Sequence, residues 1–173
     1  VYKRQGWGFK VAFVCTFAPD EPLDAVLEAA AQLPDISFCV TGDATRKPKS
    51  FFVGLPDNVT FTGFLPDAKY IGLLRTVNAV LALTTRDHTL QLGGCEAVSL
   101  GKPLITSNWP FLREFFSGGT IYVDNSVEGI RDGIQIMQNR HEELAREMLA
   151  FRQDGRRRWK NQLAQLEEMV SSR

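Results

Sequence analysis

The stretch Ala79–Ser107, AVLALTTRDHTLQLGGCEAVSLGKPLITS, decides the fold. Its first residues, 79–84, form a short apolar run that is typical of an interior parallel strand covered on both faces. A helical pattern follows from about residue 89 to residue 100, and a second apolar run begins at Pro103 after a Gly-Lys-Pro break. This succession of strand, helix and strand predicts a βαβ unit with parallel strands.

The rest of the chain repeats the alternation. Strands are predicted at residues 10–17, 36–41, 59–63, 79–84, 103–106 and 120–123. Helical periodicity separates most of them, and long helical patterns follow the last strand. Residues 44–58 hold three Lys/Arg, two Pro and one Gly without periodicity, so a loop is predicted there. We therefore expect an α/β, Rossmann-like three-layer domain with a mostly parallel sheet of about six strands, plus C-terminal helices.

Composition restricts the class of protein. The chain has 173 residues, 44% of them hydrophobic, which is enough for one well-buried core. Lys+Arg and Asp+Glu cancel at 20 each, so nucleic acid is not an expected partner. The sequence contains no run of about 18 apolar residues and no signal peptide, which predicts a cytoplasmic protein. The three cysteines are odd in number and lack C-x-x-C spacing, which favours reduced, packed thiols over a reactive nucleophile.

The chain divides into three parts. It begins Val-Tyr-Lys-Arg-Gln without an initiator Met, and residues 1–7 are predicted to be a non-native or disordered end. Residues 8–151 are predicted to form the Rossmann-like domain, and residues 152–173 a C-terminal helix.

Four loops are expected to share one edge of the sheet. Right-handed crossovers place every strand-to-helix loop at the carboxyl ends of the strands, where ligands bind in such folds. The loops are Thr16–Glu21, Gly42–Arg46, Thr85–Gly94 and Ser107–Arg113. Their polar residues are the candidates for function.

The loop Thr85–Gly94 carries the strongest signal. A helix that starts directly after a buried strand points unpaired N–H groups and its positive dipole end over the sheet, which favours an anion such as a phosphate. Thr89 is the predicted N-cap, and Gln91 with the Gly93-Gly94 pair is expected in or near the first turns. The alternative is an ordinary capped helix whose glycines allow close packing.

Glu96 and His88 are the side chains with candidate chemical roles. Glu96 lies in a small, apolar helical neighbourhood, where a carboxylate can accept hydrogen bonds from the two hydroxyls of a ribose; the alternative is a solvated helix residue. His88 is interpreted as a hydrogen-bond donor, a base or a surface residue. The only other histidine, His141, is distant in sequence, so no zinc site is predicted. The sequence lacks a Ser-His-Asp motif, a G-x-S-x-G elbow, a Walker loop and a G-x-G-x-x-G fingerprint.

The segment Leu83–Thr106 resembles the donor-site core of GT-B glycosyltransferases of the group 1, or family 4, type. The family pattern is a strand, a Glu-Gly-Phe-Gly-like loop, a helix with Glu-Ala, and then Gly-Lys-Pro-Val-Ile. Val40–Asp43 resembles the family's second strand and glycine turn, and Asn58–Pro66 resembles its third strand. Trp109–Glu114 stands in place of the family's Gly-Gly-x-x-Glu loop.

The resemblance implies a function. Residues 8–151 would be the nucleotide-sugar-binding half of a hexosyltransferase that moves a sugar from a UDP- or GDP-linked donor to a glycan or lipid-linked acceptor in glycan biosynthesis. Neither a metal nor a cofactor is expected. The N-terminal Rossmann-like domain of such an enzyme is missing from this sequence; the helix at 152–173 would pack on that domain, and the present chain alone would be inactive.

The resemblance also implies site residues. The donor and nucleotide would contact Glu96, Thr85, Arg86, Thr89, Gln91, Gly42 and Asp43. Glu96 matches the ribose-binding second glutamate of the family's Glu-x7-Glu pair, whereas His88 stands eight residues upstream, where the family has the first glutamate. His88 and Arg86 are the catalytic candidates. The loop Thr16–Glu21 has two acids and lacks the family's basic pair, so Arg86 is the only fixed positive charge in the loop after the fourth strand.

Three alternatives remain open. The first is a non-catalytic Rossmann-like scaffold that has lost donor binding, as His88 and the acidic loop 16–21 suggest. The second is a nucleotide-sugar epimerase or a phosphorylase of related architecture, for which no dedicated motif is found. The third concerns location: the Arg156–Arg158 cluster lies beside an apolar stripe of Trp159, Leu163, Leu166 and Val170, which is an alternative site of peripheral contact with the inner face of a membrane.

Overall fold

The computed structural model describes residues 8–171, so the predictions for residues 1–7 and 172–173 lie outside it. The strands are β1 (Lys10–Phe13), β2 (Ser37–Thr41), β3 (Val59–Gly63), β4 (Ala79–Ala82), β5 (Leu104–Ser107) and β6 (Thr120–Val123). The helices are α1 (Leu23–Ala31), α2 (Asp67–Thr76), α3 (Leu92–Leu100), α4 (Pro110–Phe115), α5 (Val127–Asn139) and α6 (His141–Ser171).

The six strands form one sheet in the order β3-β2-β1-β4-β5-β6, and every pairing is parallel. The predicted α/β, Rossmann-like fold with about six strands is confirmed. The strand order reverses between β1 and β4, which lie side by side with Phe13 opposite Leu81. In open parallel sheets such a reversal opens a crevice between the loops that follow the two strands. The loops after β1 and β4 are therefore neighbours.

Helices cover both faces of the sheet. Alternate residues of β1 point to opposite sides: Val11 and Phe13 join a core with α1 and α5, whereas Ala12 joins a core with α2, α3, α4 and α6. All three residues are fully buried, which explains why β1 consists of apolar residues without alternation. The two helical layers place the N-terminal ends of α1, α3 and α4 around the carboxyl edge of the sheet.

The end of the first strand and the loop 44–58 differ from the prediction. The first strand, predicted to run to Phe17, ends at Phe13. The N–H groups of Cys15 and Thr16 donate to the side chains of Thr41 and Glu21 instead of to a neighbouring strand, and Phe17 has a left-handed backbone (φ 61°). The predicted loop 44–58 contains two short 3₁₀ helices, Ala44–Arg46 and Lys49–Phe52. Both elements are only one turn long, which is too short to produce a periodic sequence pattern.

The helix α6 runs through the boundary predicted between residues 151 and 152. Leu144 and Met148 are buried on the body of the domain. Further along the same helix, Trp159 is 65% exposed and Val170 is 76% exposed. The helix therefore leaves the body near residue 152 with its apolar stripe uncovered. None of the helices within residues 8–171 combines the length and the hydrophobicity that a transmembrane span requires.

Candidate functional site

The loops after β1 and β4 are bonded to each other at the carboxyl edge. The carbonyl oxygen of Asp20 accepts the Thr85 N–H at 2.7 Å. The Asp20 carboxylate accepts the Thr84 hydroxyl at 2.8 Å. These two bonds join segments more than sixty residues apart in sequence and hold the two sides of the crevice together. They also occupy the backbone N–H of Thr85, a predicted donor contact.

Thr84 links the carboxyl ends of three strands, β4, β5 and β6. Its N–H donates to the Ser107 hydroxyl at 2.9 Å, and its carbonyl oxygen accepts from Trp109 Nε1 at 2.9 Å and Asn125 Nδ2 at 3.0 Å. The Ser107 hydroxyl donates in turn to Asn125 Oδ1 at 2.7 Å. Thr84 and Ser107 are fully buried, so this network fixes the floor of the site. Sequence reasoning missed it; the signal was a hydroxyl residue at the end of each of two apolar strands.

The two acids after β1 do not face an open site. The Glu21 carboxylate accepts hydrogen bonds from the Thr16 N–H and hydroxyl and from the Ala18 N–H, at 2.8 to 3.0 Å. Glu21 therefore closes its own loop. Cys15 is buried beneath it and its thiol contacts Glu21 at 3.3 Å. Burial, with smaller contributions from Glu21, raises the pKa of the Cys15 thiol to about 12, so it is not a nucleophile at neutral pH.

A cation in the loop after β2 contacts the loop after β1. Arg46, in the loop after β2, donates through Nη1 to the carbonyl oxygen of Thr16 at 2.8 Å, and it is exposed. The sequence of loop 16–21 contains no base, but the fold brings this guanidinium beside it. Arg46 was missed because its distance of thirty residues from Thr16 left no local pattern.

Gly42 and Asp43 have identifiable local roles. Gly42 has φ +99°, and a Cβ there would lie 2.1 Å from the carbonyl oxygen of Cys15. The Asp43 carboxylate accepts from the Thr45 N–H at 3.1 Å and from its hydroxyl at 2.6 Å. These hydrogen bonds lower the pKa of Asp43 below its ordinary value. Both residues shape the turn that carries Arg46.

The prediction that Thr89 caps the following helix is wrong. The helix α3 begins at Leu92 with Gln91 at the N-cap, and no side chain within residues 8–171 bonds that end. His88, just before Thr89, has a left-handed backbone (φ 55°) and turns the chain there. The Thr89 hydroxyl instead contacts the Asp87 carbonyl oxygen at 3.4 Å. The N-terminus of α3 is therefore left without a side-chain cap.

The glycine pair lies in the first turn of α3, as predicted. A Cβ on Gly93 would lie 2.7 Å from Val14 Cβ, and one on Gly94 would lie 2.6 Å from the ring of Phe116. The missing side chains allow α3 to pack closely on the end of β1 and on Phe116 after α4. This contact places the open N-terminus of α3 over the crevice between β1 and β4.

His88 and Arg86 lie on the exposed side of the loop. The His88 side chain is 83% exposed, and its Nε2 is 3.6 Å from Asp87 Oδ2. Its N–H donates to Asp87 Oδ1 at 2.7 Å, and its ring centroid is 6.2 Å from that of Phe111. Arg86 and Thr85 are also exposed. None of these side chains is committed to the core, so all three are available to a ligand.

Glu96 is half-buried in α3 and has a protein partner. The Tyr70 hydroxyl of α2 donates a hydrogen bond to Glu96 Oε2. Burial, together with this hydrogen bond and the charge of Glu96, raises the pKa of Tyr70, so Tyr70 remains a neutral donor. One carboxylate oxygen of Glu96 is thus engaged. Sequence reasoning did not identify Tyr70, because 26 residues separate it from Glu96.

The described residues contain no group of three or more His, Cys, Asp or Glu side chains that could hold a metal ion. The positively polarised groups exposed at this edge are the N-terminal N–H groups of α3 and the guanidinium groups of Arg46 and Arg86.

Comparisons with known proteins identify the family and the fold. A family model described as glycosyl transferase-like matches residues 24–167. No protein among those with curated descriptions matches the chain.

Solved structures share the fold. HepE of Anabaena in complex with UDP and glucose is 19% identical, with a TM-score of 0.74, over 96% of this chain and 49% of that one. Sucrose-phosphate synthase of Thermosynechococcus elongatus is 19% identical, with a TM-score of 0.69, over 96% and 46%. UDP-GlcNAc 2-epimerase of Neisseria meningitidis, in complex with UDP-GlcNAc, is 18% identical, with a TM-score of 0.58, over 83% and 40%. The chain thus spans about half the length of these proteins.

Proposed function

The chain belongs to the glycosyl transferase-like family, and on this premise we propose that it is the nucleotide-sugar-binding half of a glycosyltransferase. The observation that carries the proposal is the N-terminus of α3. It has no side-chain cap within residues 8–171 and lies over the crevice between the two central strands, with Glu96 one turn further along the helix. A diphosphate and a ribose fit these two positions.

The diphosphate binds at the N-terminus of α3. The N–H groups of Leu92 and Gly93 and the positive end of the helix dipole favour an anion there. Arg86 provides a cation from the same loop. Arg46 provides a second from the loop after β2, in place of the base that loop 16–21 lacks. Thr85, Thr89 and Gln91 contribute side-chain hydrogen bonds from the same segment.

The ribose binds at Glu96. Because Tyr70 occupies Oε2, the other carboxylate oxygen is the acceptor for the ribose hydroxyls. Tyr70 also holds the Glu96 carboxylate in one orientation, which lowers the entropic cost of ordering this side chain when the ribose binds. Gly42 and Asp43 shape the neighbouring turn, where the base is expected.

The donor is a nucleoside diphosphate sugar, and UDP is the first nucleotide to test. HepE has been crystallised with UDP-glucose, and its UDP complex matches the chain with a TM-score of 0.76. GDP is the alternative.

The intact protein transfers the sugar, a hexose, to a glycan or lipid-linked acceptor. His88 and Arg86 are exposed beside the diphosphate position and are the candidates for contact with the donor sugar. As the glycosidic bond breaks, charge develops on the leaving diphosphate, and the helix dipole and Arg86 stabilise it.

A second Rossmann-like domain completes the enzyme. The chain spans about half the length of its structural neighbours. The side chains of Leu163, Leu166 and Val170 on the distal part of α6 are 42% to 76% exposed and offer an apolar surface for that domain. The present chain therefore binds the donor without turning it over.

Two observations favour the scaffold alternative. The hydrogen bonds of Asp20 to Thr84 and Thr85 tie the two sides of the crevice together, and Tyr70 already partners Glu96. Isothermal titration of the chain with UDP, GDP and their sugars separates the two functions. Donor binding predicts saturable heat with UDP or GDP that Glu96→Gln weakens. A folded sample that binds neither nucleotide at millimolar concentration would support the scaffold.

A further inference from the structure

Two aromatic side chains that follow β5 contact the loop after β4. Trp109 Nε1 donates a hydrogen bond to the carbonyl oxygen of Thr84 at 2.9 Å. The ring centroid of Phe111, in the first turn of α4, is 6.2 Å from that of His88. Both aromatic residues are half-buried, so each keeps part of its surface accessible. Trp109 and Phe111, which we call the aromatic wall, therefore lie along one side of residues 84–88.

The polar side chains that flank the aromatic wall are directed towards β6, away from the loop after β4. Arg113 Nε donates to Asn108 Oδ1. The guanidinium of Arg113 also lies over the ring of Tyr122 in β6, with its central carbon 4.5 Å from the ring centroid. The surface that this segment presents to residues 84–88 is therefore aromatic, and a partner for it needs an apolar face.

The helix α3 separates the aromatic wall from the proposed ribose position. On one side of α3, Glu96 accepts a hydrogen bond from Tyr70 of α2. On another side, a Cβ on Gly94 would lie 2.6 Å from the ring of Phe116, directly after α4. In a nucleoside diphosphate sugar the diphosphate lies between the ribose and the sugar. An extended donor with its ribose on the α2 side and its diphosphate at the N-terminus of α3 thus places its sugar on the α4 side.

On the basis of the proposed nucleotide-sugar function, we propose that the aromatic wall of Trp109 and Phe111 is the subsite for the donor sugar, which is a pyranose stacked by a C–H face on these rings. The face of an aromatic ring is electronegative and attracts the weakly positive C–H groups of such a sugar. His88, beside Phe111, is then placed to form a hydrogen bond with a sugar hydroxyl. The two aromatic residues contribute affinity for the sugar and none for the nucleotide.

The test compares UDP with UDP-glucose, UDP-galactose and UDP-N-acetylglucosamine in calorimetric titrations of the chain. We expect at least one of the three sugar nucleotides to bind about fivefold more tightly than UDP, because the sugar adds an aromatic contact. Phe111→Leu should remove this gain and leave the affinity for UDP unchanged, since leucine keeps an apolar side chain and loses the ring. If GDP is the nucleotide that binds, GDP, GDP-glucose and GDP-mannose take the place of the uridine ligands.

Tryptophan fluorescence provides a second readout. Trp109 is one of three tryptophans in the chain. We expect the sugar nucleotide to change the emission more than UDP does, and Trp109→Phe should abolish this difference. This measurement on the unaltered chain and on Trp109→Phe also decides the matter if Phe111→Leu fails to fold.

Phe115→Leu is the matched control. Phe115 lies on the same helix as Phe111 and is 46% exposed, and its ring contacts are with Phe111 and Phe116. Its replacement should leave the affinities for UDP and for the sugar nucleotides unchanged. UDP binding without a gain from any of the sugars, or equal losses for UDP and sugar nucleotide in Phe111→Leu, would overturn the sugar subsite alone. A folded chain that binds neither UDP nor GDP would refute the nucleotide function and the subsite together.

Discussion

The Tyr70 hydroxyl donates a hydrogen bond to the carboxylate of Glu96, which joins α2 to α3. Both side chains are half-buried, and the bond crosses 26 residues of sequence. A carboxylate in such a position needs a donor, and Tyr70 supplies it from within the protein. Tyr70 is therefore the residue that fixes the orientation of Glu96.

Replacing Tyr70 with Phe should remove this donor and keep the ring. We expect a loss of about 1 to 2 kcal/mol in the free energy of unfolding, because a partly buried carboxylate loses its partner. UDP affinity should also fall, since Glu96 is no longer held in place. Urea unfolding and calorimetric titration measure the two effects. Unchanged stability and unchanged affinity together would show that the bond has no role.

Replacing Glu96 with Gln should separate binding from folding. The Gln oxygen still accepts from Tyr70, so the melting temperature should stay nearly constant. UDP affinity should fall about five- to tenfold, because the ribose hydroxyls lose a charged acceptor. Titration with UDP and a thermal melt on the same sample provide the measurements. If the variant unfolds, Glu96 is a structural residue.

Removal of the Arg46 guanidinium should weaken the binding of diphosphate more than that of nucleoside. In Arg46→Gln, UDP affinity should drop several-fold, to an extent that decreases with added salt, whereas uridine binding stays the same. Arg75→Gln is the control, because this exposed cation lies in the last turn of α2, at the opposite edge of the sheet. An equal loss for UDP and uridine would argue against a contact with phosphate.

The turn at Gly42 should not tolerate a side chain. Gly42→Ala combines a left-handed backbone with a Cβ placed 2.1 Å from the Cys15 carbonyl oxygen, and we expect a loss of roughly 2 kcal/mol or more. Gly54→Ala is the matched control, because Gly54 has φ +75° with no atom within 4 Å of the added Cβ. Its cost should be the backbone strain alone, about 1 kcal/mol. Chemical denaturation of both variants measures the difference, and equal losses would exclude the clash.

Acid should remove the stabilisation that Asp124 provides. Hydrogen bonds from the Ser126 hydroxyl and N–H hold the pKa of Asp124 below its ordinary value of 3.8. A lowered pKa in the folded state means that the stabilisation is present above pH 4 and is lost as the pH falls through the folded value. Asp124→Asn should therefore flatten the pH dependence of stability below pH 4. A melting series from pH 7 to pH 2.5 tests this, and identical slopes in the two proteins would contradict it.

Much of the fold was predictable because its signals are local. Runs of apolar residues such as 79–84 are buried on both faces, and that burial forces a hydrophobic composition which is visible in one dimension. The βαβ alternation then fixes parallel strands and a shared carboxyl edge through the handedness of the crossover. The placement of Glu96 on the helix after β4, and of loop 85–94 at that edge, followed from the same patterns.

The details of the site were not local. The helix α3 starts at Leu92 with Gln91 as its N-cap, although a threonine before a helical pattern favours an N-cap at Thr89, and His88 adopts a left-handed backbone in the loop before it. Position 88 is one where a non-glycine residue accepts this conformation only because the surrounding loop imposes it.

The sequence by itself therefore determined the layers, the strand direction and the edge at which the loops of the candidate site gather, because apolar periodicity and chain handedness require no knowledge of distant partners. Only the tertiary structure decided which groups meet at that edge. Tyr70 reaches Glu96, Arg46 reaches Thr16 and Asp20 reaches Thr84 across 26, 30 and 64 residues. Such contacts depend on how the helices and loops pack in three dimensions, and a hydrogen bond between residues that far apart leaves no pattern in the residues on either side of it.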